Sequence, residues 1–61
     1  MINIKECDRI KDKNGKYGTV MLVFYKDDKI IGLEVEFDDE APETRSIEIG
    51  DVLEVIKMNN N

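Results

Sequence analysis

Glu34, Glu36 and Asp38 recur at every second position, and Asp39 and Glu40 continue the acidic run. On a β-strand, alternate side chains share a face. With a rise of about 3.3 Å per residue, these carboxylates repeat every ~6.6 Å. That is close to the spacing of successive phosphates along a DNA strand. Glu48 and Glu54 extend the acidic surface. One reading is a nucleic-acid mimic that occupies a basic groove on another protein. The other is that outward strand positions are charged for solubility and to keep sheet edges apart.

Other chemistry has less to work with. The chain contains no histidine, which excludes His-based acid–base catalysis, nucleophilic triads and the usual zinc sites. Ser46 is the only serine and has no candidate base beside it. Cys7 is the only cysteine. It is either a reactive thiol or a small, half-buried strand residue, and a lone cysteine suits a reducing, intracellular setting. No phosphate-binding loop or dinucleotide fingerprint occurs. Asp38, Asp39 and Glu40 lack the spacing and central glycine of a calcium loop and also read as a solvated acidic turn. Paired carboxylates need a substrate cleft, which a chain of 61 residues rarely supplies. The expectation is a non-catalytic binding protein with no cofactor and no metal.

A basic stripe of Lys5, Arg9, Lys11, Lys13 and Lys16, with Tyr17 beside it, is the candidate for nucleic-acid contact. Lys11, Lys13, Lys16 and Tyr17 would carry it. Glu6, Asp8 and Asp12 interrupt the stripe, and the net charge is −5. Phosphate contacts dominate nucleic-acid affinity, so an acidic protein starts at a disadvantage. The charge is also divided unevenly. Residues 1–31 carry seven Lys or Arg against five acids, whereas residues 32–61 carry two against nine. The acidic half should attract a basic protein surface. The expected contact residues are Glu34, Glu36, Asp38, Asp39, Glu40 and Glu48, with Tyr25 as an exposed aromatic anchor. Homodimerisation stays open.

The elements that position these residues have period two. Strands are expected at 7–11, 17–26, 30–38, 44–49 and 52–57. Asn14-Gly15 marks the first hairpin and Asp27-Asp28 the second. Gly32, inside a strand, suggests a bulge or a strong bend. Pro42 punctuates the loop from Asp39 to Glu43, and Gly50-Asp51 makes a short turn before the last strand. Alternation sends Leu33, Val35 and Phe37 inward, with Glu34, Glu36 and Asp38 outward. Ile47 and Ile49 point in and Glu48 out. Val20, Leu22 and Phe24 share one face of the second strand. Met21, Val23 and Tyr25 share the other, which is apolar too. Either this strand passes from one half of a curled sheet to the other, or the second face meets a partner.

Five short strands with one strongly bent predict an all-β, antiparallel, nearly closed barrel. The domain spans 1–58, followed by a polar, disordered tail at 59–61. A chain of this length buries only about 60% of its unfolded surface, so the core is marginal. No apolar run reaches the roughly 18 residues of a membrane span. The opening residues lack the basic and apolar regions of a signal peptide. The expected location is cytoplasmic.

The string Glu6-Cys7-Asp8-Arg9-Ile10-Lys11, followed by Gly15-Lys16-Tyr17-Gly18-Thr19-Val20, resembles the opening of SH3-like small barrels. KOW-type domains begin similarly. Glu34 to Glu40 is similar to the middle of short bacterial SH3-like families of unknown function, and Gly50-Asp51-Val52 resembles the turn before a last SH3 strand. The resemblance implies a five-stranded SH3-like barrel. Its KOW-like side implies RNA or ribosomal contact. Small acidic phage-encoded inhibitors are similar in size and charge. Cys7 stands where such barrels usually carry glycine, which predicts an altered first turn. The aromatic residues that bind proline-rich peptides are not evident, so that activity is not implied.

Overall fold

The computed structural model describes residues 3–57. The tail expected at 59–61 lies outside them. The chain is all-β. It comprises β1 (Arg9–Asp12), β2 (Tyr17–Lys26), β3 (Lys29–Phe37), β4 (Arg45–Glu48), a single 3₁₀ turn at Ile49–Asp51, and β5 (Val52–Ile56). All pairings are antiparallel, in the order β4-β3-β2-β1-β5. β4 and β5 therefore stand at the two ends of the order. The 3₁₀ turn joins them across the sheet.

β1 starts two residues later than its pattern predicts. Cys7 is not a half-buried strand residue. It is exposed and takes a left-handed φ of 77°. The Asp8 amide donates to Lys5 O at 3.1 Å, closing a turn around it. Cys7 N donates to Val20 O, and Val20 N donates to Asp8 O, each at 2.8 Å. Two residues thus oppose one, which is a bulge of the kind that usually places glycine first.

The hairpins differ in construction. The first hairpin turns where Asn14-Gly15 marks it, with the four residues Lys13 to Lys16 between β1 and β2. Only Gly15 takes a positive φ there, 83°. The Asp12 carboxylate fixes the loop, accepting from the amides of Asn14 and Lys16, both at 2.9 Å. The second hairpin is a two-residue turn. Asp27 and Asp28 have φ of 53° and 66°, and Lys26 pairs with Lys29. Positive φ at both central residues matches the right-handed twist of the flanking strands.

Two irregularities bend the long β2–β3 ribbon. Val20 faces Val35 and Leu22 faces Glu34, so Met21 has no partner. Phe24 faces Gly32 and Tyr25 faces Ile30, leaving out Ile31. The bulge suggested by Gly32 thus falls on its neighbour. The Met21 bulge overturns the predicted faces of β2. Inward positions switch parity there, so Val20 is fully buried and Val23 packs on the core, while Leu22 and Phe24 point out. The strand does change which face it buries between its two halves, but Met21 and Tyr25 are exposed.

The core consists of Ile4, Ile10, Val20, Leu33, Val35 and Phe37, with Val23, Ile30, Ile47, Ile49, Val52 and Val55 packed around it. The inward assignments on β3 and at Ile47 and Ile49 agree with this. Gly18 supports the close approach of β2 to β3. A Cβ there would lie 2.6 Å from Val35 Cγ1 and 3.0 Å from Glu36 O. Asp8 is buried, and its carboxylate accepts from the Lys5 amide at 2.9 Å and Lys57 Nζ at 2.7 Å. Lys57 also donates to the Asn3 carbonyl, so one ammonium joins the segment entering the fold to the end of β5.

Candidate functional site

β3 carries the acidic row, and pairing on both sides determines what each carboxylate meets. Glu34 faces Ser46 of β4. Its carboxylate accepts from Ser46 Oγ at 2.7 Å and from Thr44 Oγ1. The Thr44 bond, followed by the Ser46 bond, holds the Glu34 carboxyl below its ordinary value. Glu36 faces Thr19. Asp38 lies just past β3 and accepts two bonds from the Arg9 guanidinium, at 2.8 and 2.6 Å. Arg9 also donates to Thr19 Oγ1 at 3.1 Å. The Arg9 hydrogen bond lowers the Asp38 carboxyl.

Asp39 and Glu40 belong to a different cluster. Lys16 Nζ lies 3.1 Å from Asp39 and 3.0 Å from Glu40, and Arg45 donates to both Glu40 oxygens at 3.2 and 3.1 Å. Arg45 faces Val35 across the ladder. Directly opposed residues share a face, so Arg45 is on the core side of the sheet. Its guanidinium carbon sits 4.8 Å from the centre of the Phe37 ring, and Lys16 Nζ is 5.7 Å from that centre. The Lys16 bond, and behind it the Arg45 bond, lowers the Glu40 carboxyl. Lys16 is raised correspondingly by Glu40 and then Asp39. Asp39 and Glu40 therefore close the end of the core and do not continue the Glu34–Glu36 row.

The acids on the outer face of the strands that make no ion pair among the described residues are Glu34 and Glu36 of β3, Glu48 of β4 and Glu54 of β5, the last lying opposite Lys11 at the far end of the strand order. Glu48 faces Gly32, which faces Phe24; Ser46 faces Glu34, which faces Leu22. The registers thus lay Glu48 and Glu34 alongside Phe24 and Leu22. Leu22 is 49% exposed and Phe24 39%. Tyr25 is the most open aromatic at 61% and stands at the hairpin end of the same strand.

The basic stripe is largely spent within the fold. Lys13 Nζ lies 3.0 Å from Asp51, Lys16 is held by Asp39 and Glu40, and Arg9 by Asp38. Lys11 is different. Its Nζ stands 5.7 Å from the centre of the Tyr17 ring, and it faces Tyr17 on one side and Glu54 on the other. Lys11 and Tyr17 form a small cation–π pair, not a continuous basic surface.

A shallow groove lies where β4 ends. Its walls are Phe24, Lys29, Ile30, Ile31 and Gly32 on one side and Ser46, Glu48, Ile49 and Gly50 on the other. Period-two reading does not find this groove, nor the exposure of Leu22, Phe24 and Ile31, because both depend on the two bulges. Among the described residues, no group of three or more Cys, Asp or Glu side chains is arranged to hold a metal ion, and no helix is long and apolar enough to cross a membrane. No protein-family model, curated protein or solved structure matches the chain.

Proposed function

We propose that this chain is a non-catalytic, SH3-like binding module that presents an acidic surface with an apolar centre to a basic protein. The observation that carries the reading is the arrangement of Glu34, Glu36 and Glu48 on one face beside exposed Leu22 and Phe24. Carboxylates without internal counterions set orientation and association rate, and neighbouring apolar side chains supply contact energy. The strand order and the 3₁₀ turn before β5 support the SH3-like assignment. A finer form of the proposal is an inhibitor, phage-encoded and cytoplasmic, that fills a nucleic-acid-binding groove. The ~6.6 Å repeat of outward carboxylates on a strand supports this form. Glu34, Glu36 and Glu48 would act as the phosphate equivalents, because Asp38, Asp39 and Glu40 hold cations of their own chain.

Charge reversal tests the proposal. Immobilised wild-type protein should retain basic proteins from a lysate and release them as salt rises. The Glu34→Lys/Glu36→Lys variant, folded by circular dichroism, should lose that capture. Undiminished capture by the variant would sink the proposal.

A further inference from the structure

The groove beside β3 also has an unpaired backbone. The ladder between β3 and β4 ends at Gly32 and Glu48, where the chain turns away into Ile49–Asp51. β3, however, begins at Lys29. Lys29 and Ile30 therefore have a strand partner only on the β2 side, and the bulged Ile31 has none on either side. No loop amide or carbonyl among the described residues bonds to them from the other side. An open edge of this kind is a template for another strand. Phe24, Ile30, Ile31 and Ile49 give the groove an apolar lining, and Lys29 and Glu48 place opposite charges on its two walls.

We propose that this groove receives an extended peptide segment of the partner protein, which adds a short strand to β3 at Lys29–Ile31. The inference rests on the protein-binding reading and names its mode. Three residues of strand span about 10 Å, so the segment that pairs is short. Specificity comes from an apolar side chain against Ile31 and Phe24 and from a Lys or Arg directed at Glu48. A cation suits Glu48 because that carboxylate has no ion-pair partner among the described residues.

The experiment selects binders from a displayed library of random linear heptapeptides on the full chain. An enriched peptide is then titrated into ¹⁵N-labelled protein. The expected peptides combine apolar residues with Lys or Arg, and shift the amides of Lys29, Ile30 and Ile31. Methylating one backbone nitrogen of the peptide should weaken binding by about tenfold, as should Ile31→Lys. Ile31 is 48% exposed, so the variant keeps its core. A peptide that shifts the Lys29, Ile30 and Ile31 amides of a protein that retains no basic lysate protein would leave the groove standing while the acidic-face reading fails, which separates the two failures. The inference is overturned by absence of enrichment, by shifts confined to other strands, or by methylated peptides that bind equally. A concentration-dependent dimer that shifts the same amides without peptide overturns it too, because the occupant is then a second copy.

Discussion

Arg9 on β1 reaches past β2 to hold both carboxylate oxygens of Asp38, 29 residues away in the chain. The same guanidinium donates to Thr19 on the strand between them. This two-pronged contact ties the start of β1 to the end of β3 and removes one member from the outward acidic row. Arg45 and Lys16 do the same for Glu40 at the other side of the sheet. The net charge of −5 is therefore expressed unevenly, with its unbalanced part on carboxylates such as Glu34, Glu36 and Glu48 that these cations do not reach.

These pairs predict the dependence of stability on pH. Asp8, Glu34, Asp38, Glu40 and Asp51 are all held below their ordinary values of 3.8 for Asp and 4.5 for Glu. For Asp8, burial opposes the shift, and the Lys57 and Lys5 contacts outweigh it. A carboxylate lowered on folding contributes stability that is complete above its unfolded value and disappears as pH falls through the folded one. Arg9, Lys13 and Lys16 are raised above their ordinary values by hydrogen bonds to Asp38, Asp51 and Glu40, so their contribution is complete below those ordinary values and is lost at more alkaline pH. Urea midpoints should be level from about pH 5 to about pH 9 and fall below about pH 4. A midpoint that rises on acidification below pH ~4 would contradict these pairings.

Cys7 supplies a second prediction. It takes the left-handed conformation in which an L side chain crowds its own carbonyl, a strain of roughly 1–2 kcal/mol. Glycine takes this conformation without a steric cost. Cys7→Gly should therefore stabilise the protein, by about 1 kcal/mol after the extra chain entropy of glycine. Cys7→Val should destabilise it, because a branched Cβ fits that conformation worst. Equilibrium urea unfolding under reducing conditions measures both.

Much of this architecture is legible in the sequence, and the illegible part has a common cause. β2 spans 17–26 as its run of branched and aromatic residues predicts, and Leu33, Val35 and Phe37 alternate into the core. The burial of Ile4 is not legible, because it precedes every strand and no alternation surrounds it. Asp8 and Asp12, which interrupt the basic stripe in the sequence, are buried, and no local pattern marks this, since it is backbone amides in turns that satisfy them. The acidic row is recognisable by its period. Which members are neutralised depends on Arg9, Lys16 and Arg45, whose positions follow from strand order and loop paths. Local pattern thus identifies strands and candidate charges, whereas register decides their partners.

Gly18 makes the register testable. It pairs with Ile10 on one side and Phe37 on the other, and a Cβ would meet Val35 Cγ1, Glu36 O and the Phe37 Cα at 2.6, 3.0 and 3.1 Å. Two of those three obstacles are backbone and cannot rotate away. Gly18→Ala should cost about 1–3 kcal/mol by overpacking, despite the better strand propensity of alanine. Gly50→Ala has nothing within 4 Å of the new methyl group and serves as the control. Thermal midpoints of the two variants should differ clearly, with Gly18→Ala the lower.

Met21 offers the sharpest separation between sequence pattern and fold. The residue is 44% exposed and has no partner on β3. Met21→Ala should therefore leave the urea midpoint within about 0.5 kcal/mol of wild type. Deleting the residue is different. Without it, Val20, Leu22, Val23 and Phe24 would alternate in, out, in, out against Val35, Glu34, Leu33 and Gly32 with no irregularity. By pattern alone the deletion improves the strand. By geometry it removes a bend and the extra twist that a bulge introduces. That curvature allows one five-stranded sheet to fold over its own core, with β1 and β5 at one end and β4 at the other. A straighter ribbon would hold Ile10 and Val55 away from Leu33 and Ile47. The deletion should cost several times more than the point substitution, with loss of amide dispersion in a ¹⁵N spectrum. Wild-type stability in the deletion variant would show that curvature arises elsewhere, with the irregularity at Ile31 the next position to remove.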